Sequence, residues 1–170
     1  MNLHSIIRDV PDFPKPGIIF KDITPLLKDP LAFRETIDLL EKAASGLEIT
    51  GVVGVEARGF IFGAALAARM GVGFIPIRKP HKLPYDTISE SYQLEYGTDA
   101  IEMHRDALGP GDRVILIDDL LATGGTIQAA IRLVEKTGAR VARVLFVVEL
   151  LFLKGREKLE GYDIHSLVSF

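Results

Sequence analysis

The chain has 170 residues, 48% of them hydrophobic, which suits one domain with a full core. It contains no cysteine, so disulfides, thiolate catalysis and Cys-based zinc sites are excluded. A net charge of −3 argues against a broad nucleic-acid surface, but not against a small anion gripped by a few local cations.

In chain order, residues 3–8 carry a short helical pattern. No apolar signal core follows Met1-Asn2-Leu3-His4-Ser5, so a cytoplasmic protein is the expectation. Residues 10–27 hold Pro11, Pro14, Pro16, Gly17 and Pro25 and cannot form a regular helix. Asp29-Pro30 is a helix start, with Asp as N-cap and Pro at the first position. Phe33, Ile37, Leu40, Ala44 and Leu47 continue it as an apolar stripe. Residues 51–55 read as a buried strand, 60–70 as a helix stopped by Gly71, and 74–77 as a second strand. Residues 79–104 are more polar and broken by Pro80 and Pro84. They predict a loop and a two-stranded excursion, 88–95 and 99–104, turning at Gly97. A turn at 109–112 leads to a strand over 113–117, a helix over 126–137 ended by Gly138, and a strand over 140–148. A short helix near 154–159 and a strand near 164–168 follow. The apolar run 141–153 contains Arg143 and Glu149 and is too short to span a bilayer, so no membrane partner is expected.

Strands alternating with helices predict an α/β fold, a mostly parallel twisted sheet covered by helices on both faces. In such sheets ligands bind outside the carboxyl ends of the strands. The chemically loaded segments fall there. Asp118-Asp119 follows one strand, then Leu120 and the small turn Ala122-Thr123-Gly124-Gly125-Thr126 open a helix. Exposed amides at a helix start, with two glycines and two hydroxyls, form an anion cradle. The carboxylates suit sugar hydroxyls or a hydrated Mg²⁺. A sugar phosphate needs all of these at once. The turn is not a nucleotide P-loop, because no Lys follows the glycines. Glu56-Ala57-Arg58-Gly59 follows a second strand and offers a bidentate phosphate grip at Arg58. Arg78, Lys79 and Lys82 follow a third and make a local anion attractor. His81 is best explained by solvent exposure, and His4, His104 and His165 show no metal-ligand spacing.

The stretch from Val114 to Thr126 resembles the phosphoribosyl-pyrophosphate signature of the type I phosphoribosyltransferases. Glu56-Ala57-Arg58-Gly59-Phe60 is similar to that family's pyrophosphate loop. The segment from Val10 to Leu27, with Leu94-Glu95-Tyr96-Gly97 and Arg78-Lys79 through Pro84, resembles the members that use adenine. The resemblance implies one domain over 1–170, with 1–28 as a hood over the base and 79–104 as a flexible lid. It implies Mg²⁺-dependent transfer of phosphoribose from 5-phosphoribosyl 1-pyrophosphate to adenine, giving AMP and pyrophosphate in purine salvage. It assigns Ile19, Phe20, Lys21 and Leu120 to adenine, and Asp118, Asp119 and Ala122 to Thr126 to ribose and phosphate. Arg58, Lys79, Lys82 and Arg78 go to pyrophosphate, and Glu95 to a purine proton. Arg58, Lys82 and Glu95 are the expected catalytic side chains. Mg²⁺ is expected to be held mainly by substrate, and a homodimer is expected, with Arg78 the residue most suited to act across it. Members often carry Arg where Lys21 stands. The same transfer to hypoxanthine, guanine or xanthine, and a sensor that binds without turnover, are the competing readings.

Overall fold

A computed structural model describes residues 2–93 and 97–170. The predicted helix at 3–8 is instead a single 3-10 turn, Leu3–Ser5, capped by the Asn2 side chain. The chain then enters strand β1 (Arg8–Pro11), which pairs antiparallel with β2 (Ile19–Asp22). This cross-strand partner lies too far along the chain for a local helical pattern to reveal it. Segment 10–27 forms no continuous helix, as expected, but it is more ordered than a Pro-rich loop: it holds the end of β1, all of β2 and the start of a short helix α1 (Thr24–Lys28), with Pro25 in the first turn where no amide is needed.

Helix α2 (Pro30–Ala44) starts at Asp29, whose carboxylate accepts from the amides of Leu31 and Ala32 at 2.8 and 3.1 Å. Such a cap is worth about 1 kcal/mol. Ile37, Leu40 and Ala44 bury its apolar stripe, whereas Leu47 lies past the helix end. Strand β3 (Gly51–Val55) has the predicted bounds, and α3 (Gly59–Met70) stops at Gly71, which sits at φ +69°. Then come β4 (Gly73–Ile77), the hairpin β5 (Thr87–Gln93) and β6 (Thr98–His104), β7 (Arg113–Leu121), α4 (Gly125–Glu135), β8 (Arg140–Glu149) and β9 (Ile164–Ser169). The short helix near 154–159 is a 3-10 segment, Gly155–Leu159.

The central sheet has five strands in the order β4-β3-β7-β8-β9, all parallel. Alternate residues of its strands feed two cores. Val52, Ile115, Ile117, Leu145 and Val147 pack with Ile37, Leu40, Phe62 and Leu66 of α2 and α3. Val53, Val55, Leu116, Val144 and Phe146 pack with Ile127, Ile131 and Val134 of α4 and with Tyr92, Ile101 and Met103 of the hairpin. Each such large side chain contributes about 1.5–3 kcal/mol by leaving water. Burial on both faces is why these strands read as continuous apolar runs. Among the described residues no helix is long and apolar enough to cross a membrane.

From β3 the chain steps to β4 on one side, then returns to place β7 on the other. The strand order therefore reverses between β3 and β7. A parallel sheet opens a crevice at such a point, beyond the carboxyl ends of the two strands.

Candidate active site

The reversal point brings together the segment after β3 and the end of β7. A cavity of about 450 Å³ lies there, lined by Glu56, Ala57 and Arg58 on one side and by Asp118, Asp119 and Leu120 on the other. Arg78, Lys79, Tyr92 and Thr126 complete the polar lining. A smaller pocket of about 80 Å³ adjoins it, formed by Ala122, Thr123, Gly124, Gly125, Thr126 and Ile127 with Asp118 and Leu120. Asp118, Leu120 and Thr126 line both, so the two spaces are one continuous site.

The expectation that strand 113–117 ends before the carboxylates is corrected. β7 runs through Asp118 and Asp119 to Leu121, pairing Leu120 with Val148 and Leu121 with Glu149. Asp is a poor strand former, and only the ladder to β8 holds these residues extended. The result is two adjacent carboxylates, Asp119 buried and Asp118 half-buried. Burial pushes the Asp118 carboxyl well above the usual range, and the charge of Asp119 pushes it further. Burial also raises Asp119, although Arg58 opposes it. Arg58 Nε lies 2.8 Å from Asp119 Oδ2. It is off the line of a hydrogen bond, so that oxygen has no aligned donor among the described residues. A buried carboxylate oxygen with a vacant lone pair calls for a donor from outside the chain.

The small pocket is built as an anion cradle. Gly124 sits at φ +80° and precedes the first turn of α4 without a side-chain cap. The amides of that turn have no intrahelical partner. Gly59 matters for the opposite wall: a Cβ there would lie 2.9 Å from Asp118 Oδ1, so α3 approaches β7 only through glycine.

The cations are grouped as expected, but they are paired internally. Glu56 is the hub. Its carboxylate accepts from Arg78 Nε at 3.1 Å and from the Lys79 amide at 2.6 Å, with Lys82 Nζ 3.7 Å away. Burial alone would raise the Glu56 carboxyl, but these donors hold it below the usual range. Arg78, expected to serve a partner subunit, lines its own chain's cavity and also donates to the Lys82 carbonyl. Lys79 Nζ bonds to Asp99 and to the Tyr92 hydroxyl on the hairpin. Lys82, Ile19, Phe20 and Lys21 do not line the cavity, and Ile19 is exposed.

Of the residues expected to bind the base, Phe20 lies beside Arg58. Its guanidinium stands 5.3 Å from the Phe20 ring, which Phe13 meets edge-on at 5.2 Å. The Lys21 side chain is turned to Asp9 at 2.5 Å and lies over the Phe170 ring at 3.7 Å. Glu95 falls outside the described residues. Tyr92 and Asp99 were missed from sequence. They pair across the hairpin register, which alternation alone does not supply.

Residues 23–166 match the sequence family described as the phosphoribosyl transferase domain. The chain is 58% identical over 168 residues to an adenine phosphoribosyltransferase of Thermoanaerobacter sp. (strain X514), covering 99% of this chain and 97% of that one. The crystal structure of adenine phosphoribosyltransferase from Thermoanaerobacter pseudethanolicus superposes with a TM-score of 0.96 at 56% identity, covering 99% of this chain and 98% of that one. The enzyme from Saccharomyces cerevisiae, crystallised with an imino-altritol bisphosphate and adenine, gives 0.92 at 42% identity, covering 97% and 96%.

Proposed function

Because the chain belongs to the phosphoribosyl transferase domain family and, within it, to the adenine phosphoribosyltransferases, we propose that it transfers phosphoribose from 5-phosphoribosyl 1-pyrophosphate to adenine. The observation that carries this reading is the continuity of two pockets. One is a helix-start cradle of phosphate size, and the other is a larger cavity with carboxylates on one wall and cations on the other.

Thr123 to Thr126 hold the 5′-phosphate and fix the sugar. Asp118 and Asp119 accept from the ribose hydroxyls, and their charge favours the cationic ring as the bond from ribose C1 to pyrophosphate breaks. Arg58, Arg78, Lys79 and Lys82 stabilise the charge gathering on the leaving pyrophosphate. The ring nitrogen of adenine bonds to C1, and Glu95 takes up the proton it sheds. Phe20 stacks on the base and Leu120 closes its other face, while backbone groups at Ile19 and Lys21 read the amine edge. A 6-oxo purine would leave buried groups unpaired, at about 1–3 kcal/mol. Residues 1–28 act as the hood and 79–104 as the lid that excludes water.

Mg²⁺ fits this donor set as a companion of the substrate. No group of three or more metal-ligating side chains occurs among the described residues, yet Asp119 Oδ2, ion-paired to Arg58 but without an aligned hydrogen-bond donor, offers a hard oxygen. Asp118 and Asp119 would hold its water shell, and the ion would neutralise pyrophosphate charge. The functional unit is a homodimer, which a sizing column tests.

The deciding assay offers the protein phosphoribosyl pyrophosphate and Mg²⁺ with equal adenine, hypoxanthine, guanine and xanthine. AMP as the single nucleotide product is expected. IMP, GMP or XMP would overturn the base reading, and binding without any product would favour a sensor.

A further inference from the structure

The segment Arg156-Glu157-Lys158-Leu159 has no part in the roles above, yet its geometry ties it to the phosphate cradle. Glu149 ends β8 beside Leu121, the last residue of β7. It is buried, with 3% of its surface exposed. Arg156 grips it with both arms of the guanidinium, Nε to Oε1 at 2.6 Å and Nη2 to Oε2 at 2.7 Å. Ser166 on β9 donates to Oε2 at 2.7 Å, and Arg156 Nη1 donates to the Ile164 carbonyl at 3.2 Å. The 3-10 segment is thereby fixed to the two strands at that side of the sheet. Gln128 of α4 donates to the Lys158 carbonyl at 3.0 Å, and Leu159 is in the core.

Immediately before Arg156 comes Gly155, which touches the cradle backbone to backbone. A Cβ on Gly155 would lie 2.3 Å from the Ala122 carbonyl oxygen, and a Cβ on Gly124 would lie 2.5 Å from the Gly155 carbonyl oxygen. No side chain intervenes that could absorb a shift. A displacement of the 3-10 segment therefore passes directly into residues 122–124.

We propose that Glu149 and Arg156 are positioning residues for the 5′-phosphate, setting the cradle through the Gly155 backbone. A doubly bonded guanidinium–carboxylate pair fixes direction as well as distance. With Glu149 buried but 44% of the Arg156 side chain exposed, such a pair adds little net stability, so its value is geometric. The proposal rests on the assignment of the cradle to the 5′-phosphate.

The test uses Arg156→Lys, which keeps the charge but loses the bidentate grip, and Gly155→Ala, which leaves the pair intact and crowds Ala122. Initial rates of AMP formation are measured with each substrate varied, together with inhibition by ribose 5-phosphate and by pyrophosphate. In both variants KM for phosphoribosyl pyrophosphate and Ki for ribose 5-phosphate should rise about tenfold, with KM for adenine and Ki for pyrophosphate within about twofold. A purely structural brace would lower Tm and move all four constants together, or move none, and either result overturns the proposal. Should either variant fail to fold, Glu149→Gln, nearly isosteric, supplies the same four constants. If the wild-type protein forms no AMP, the functional reading fails. Calorimetric binding of ribose 5-phosphate to wild type and variants then still decides the positioning role.

Discussion

Replacing Glu56 by Gln should separate stability from ligand affinity, because one carboxylate serves both. In the free protein it is the shared acceptor for Arg78 and the Lys79 amide, with Lys82 nearby. Gln keeps one oxygen for the Lys79 amide but turns an NH₂ toward the Arg78 guanidinium, so a charge-assisted pair becomes two opposed donors. Hydrogen bonds to charged groups contribute about 1.5–3 kcal/mol. Arg78 and Lys82 are partly in water, with 34% and 51% of their side chains exposed, which argues for the low end. A loss of about 1–2 kcal/mol corresponds to about 3–6 °C in Tm for a domain of this size. The pH dependence gives an internal check. The Glu56 carboxyl in the fold lies below its ordinary value of 4.5. Its stabilisation is complete above that value and is lost as pH falls through the folded-state pKa. The Tm gap between wild type and Glu56→Gln should therefore be full at pH 7 and close on acidification below 4.5. Pyrophosphate should respond the other way. Glu56 competes with it for the same cations, and removing a charge at this range in a water-filled cleft is worth about 0.5–1 kcal/mol, a factor of about two to five tighter. Thermal melts across pH and product-inhibition constants for pyrophosphate test this. A Tm gap that is constant with pH, or pyrophosphate affinity that falls together with Tm, would refute the reasoning.

Phe20→Ala removes the flat face beside Arg58 and should raise KM for adenine about tenfold or more while KM for phosphoribosyl pyrophosphate moves less than about twofold; steady-state rates with each substrate varied decide it. Asp118→Asn should stabilise the fold while lowering kcat/KM. Burial and Asp119 push the Asp118 carboxyl up, so its favourable contribution exists below 3.8 and is lost as pH rises through the folded-state pKa. Asn never incurs that loss and still accepts the Asp119 amide, a 2.8 Å bond in the wild type. A Tm at pH 7 no higher than wild type would contradict this. Gly124→Ala adds about 1–2 kcal/mol of strain at φ +80° and a Cβ 2.5 Å from the Gly155 carbonyl oxygen. It should abolish saturation by phosphoribosyl pyrophosphate, whereas a normal KM would show that the cradle does not hold the 5′-phosphate.

What could be read from the sequence was what is local. The Asp29-Pro30 start, the Gly71 stop and the run of β3 need only neighbouring residues, and they stand where periodicity and capping put them. β1 could not be read in this way, because its pairing of Arg8 with Asp22 is made across the turn between two strands. The same holds for the end of β7. Local propensity argues against Asp118 and Asp119 in a strand, and only the ladder to β8 extends it to Leu121.

The site shows the same division between neighbours in sequence and neighbours in space. Paired Asp, the cradle glycines and the cations were visible because each stands where a strand ends, and a parallel sheet gathers such ends on one edge. Their internal partners were not visible. Glu56 finds Arg78 because β3 and β4 are adjacent, and Lys79 finds Tyr92 and Asp99 because the hairpin folds back over β4. Gly155 meets Gly124 because β7 and β8 finish side by side and both exits turn the same way. A residue that faces the ligand is thus betrayed by its chemistry at a strand end. A residue that aims another one is betrayed only by topology. This is why the sequence by itself gives Arg156 no role, although its guanidinium fixes the turn that bears on the cradle.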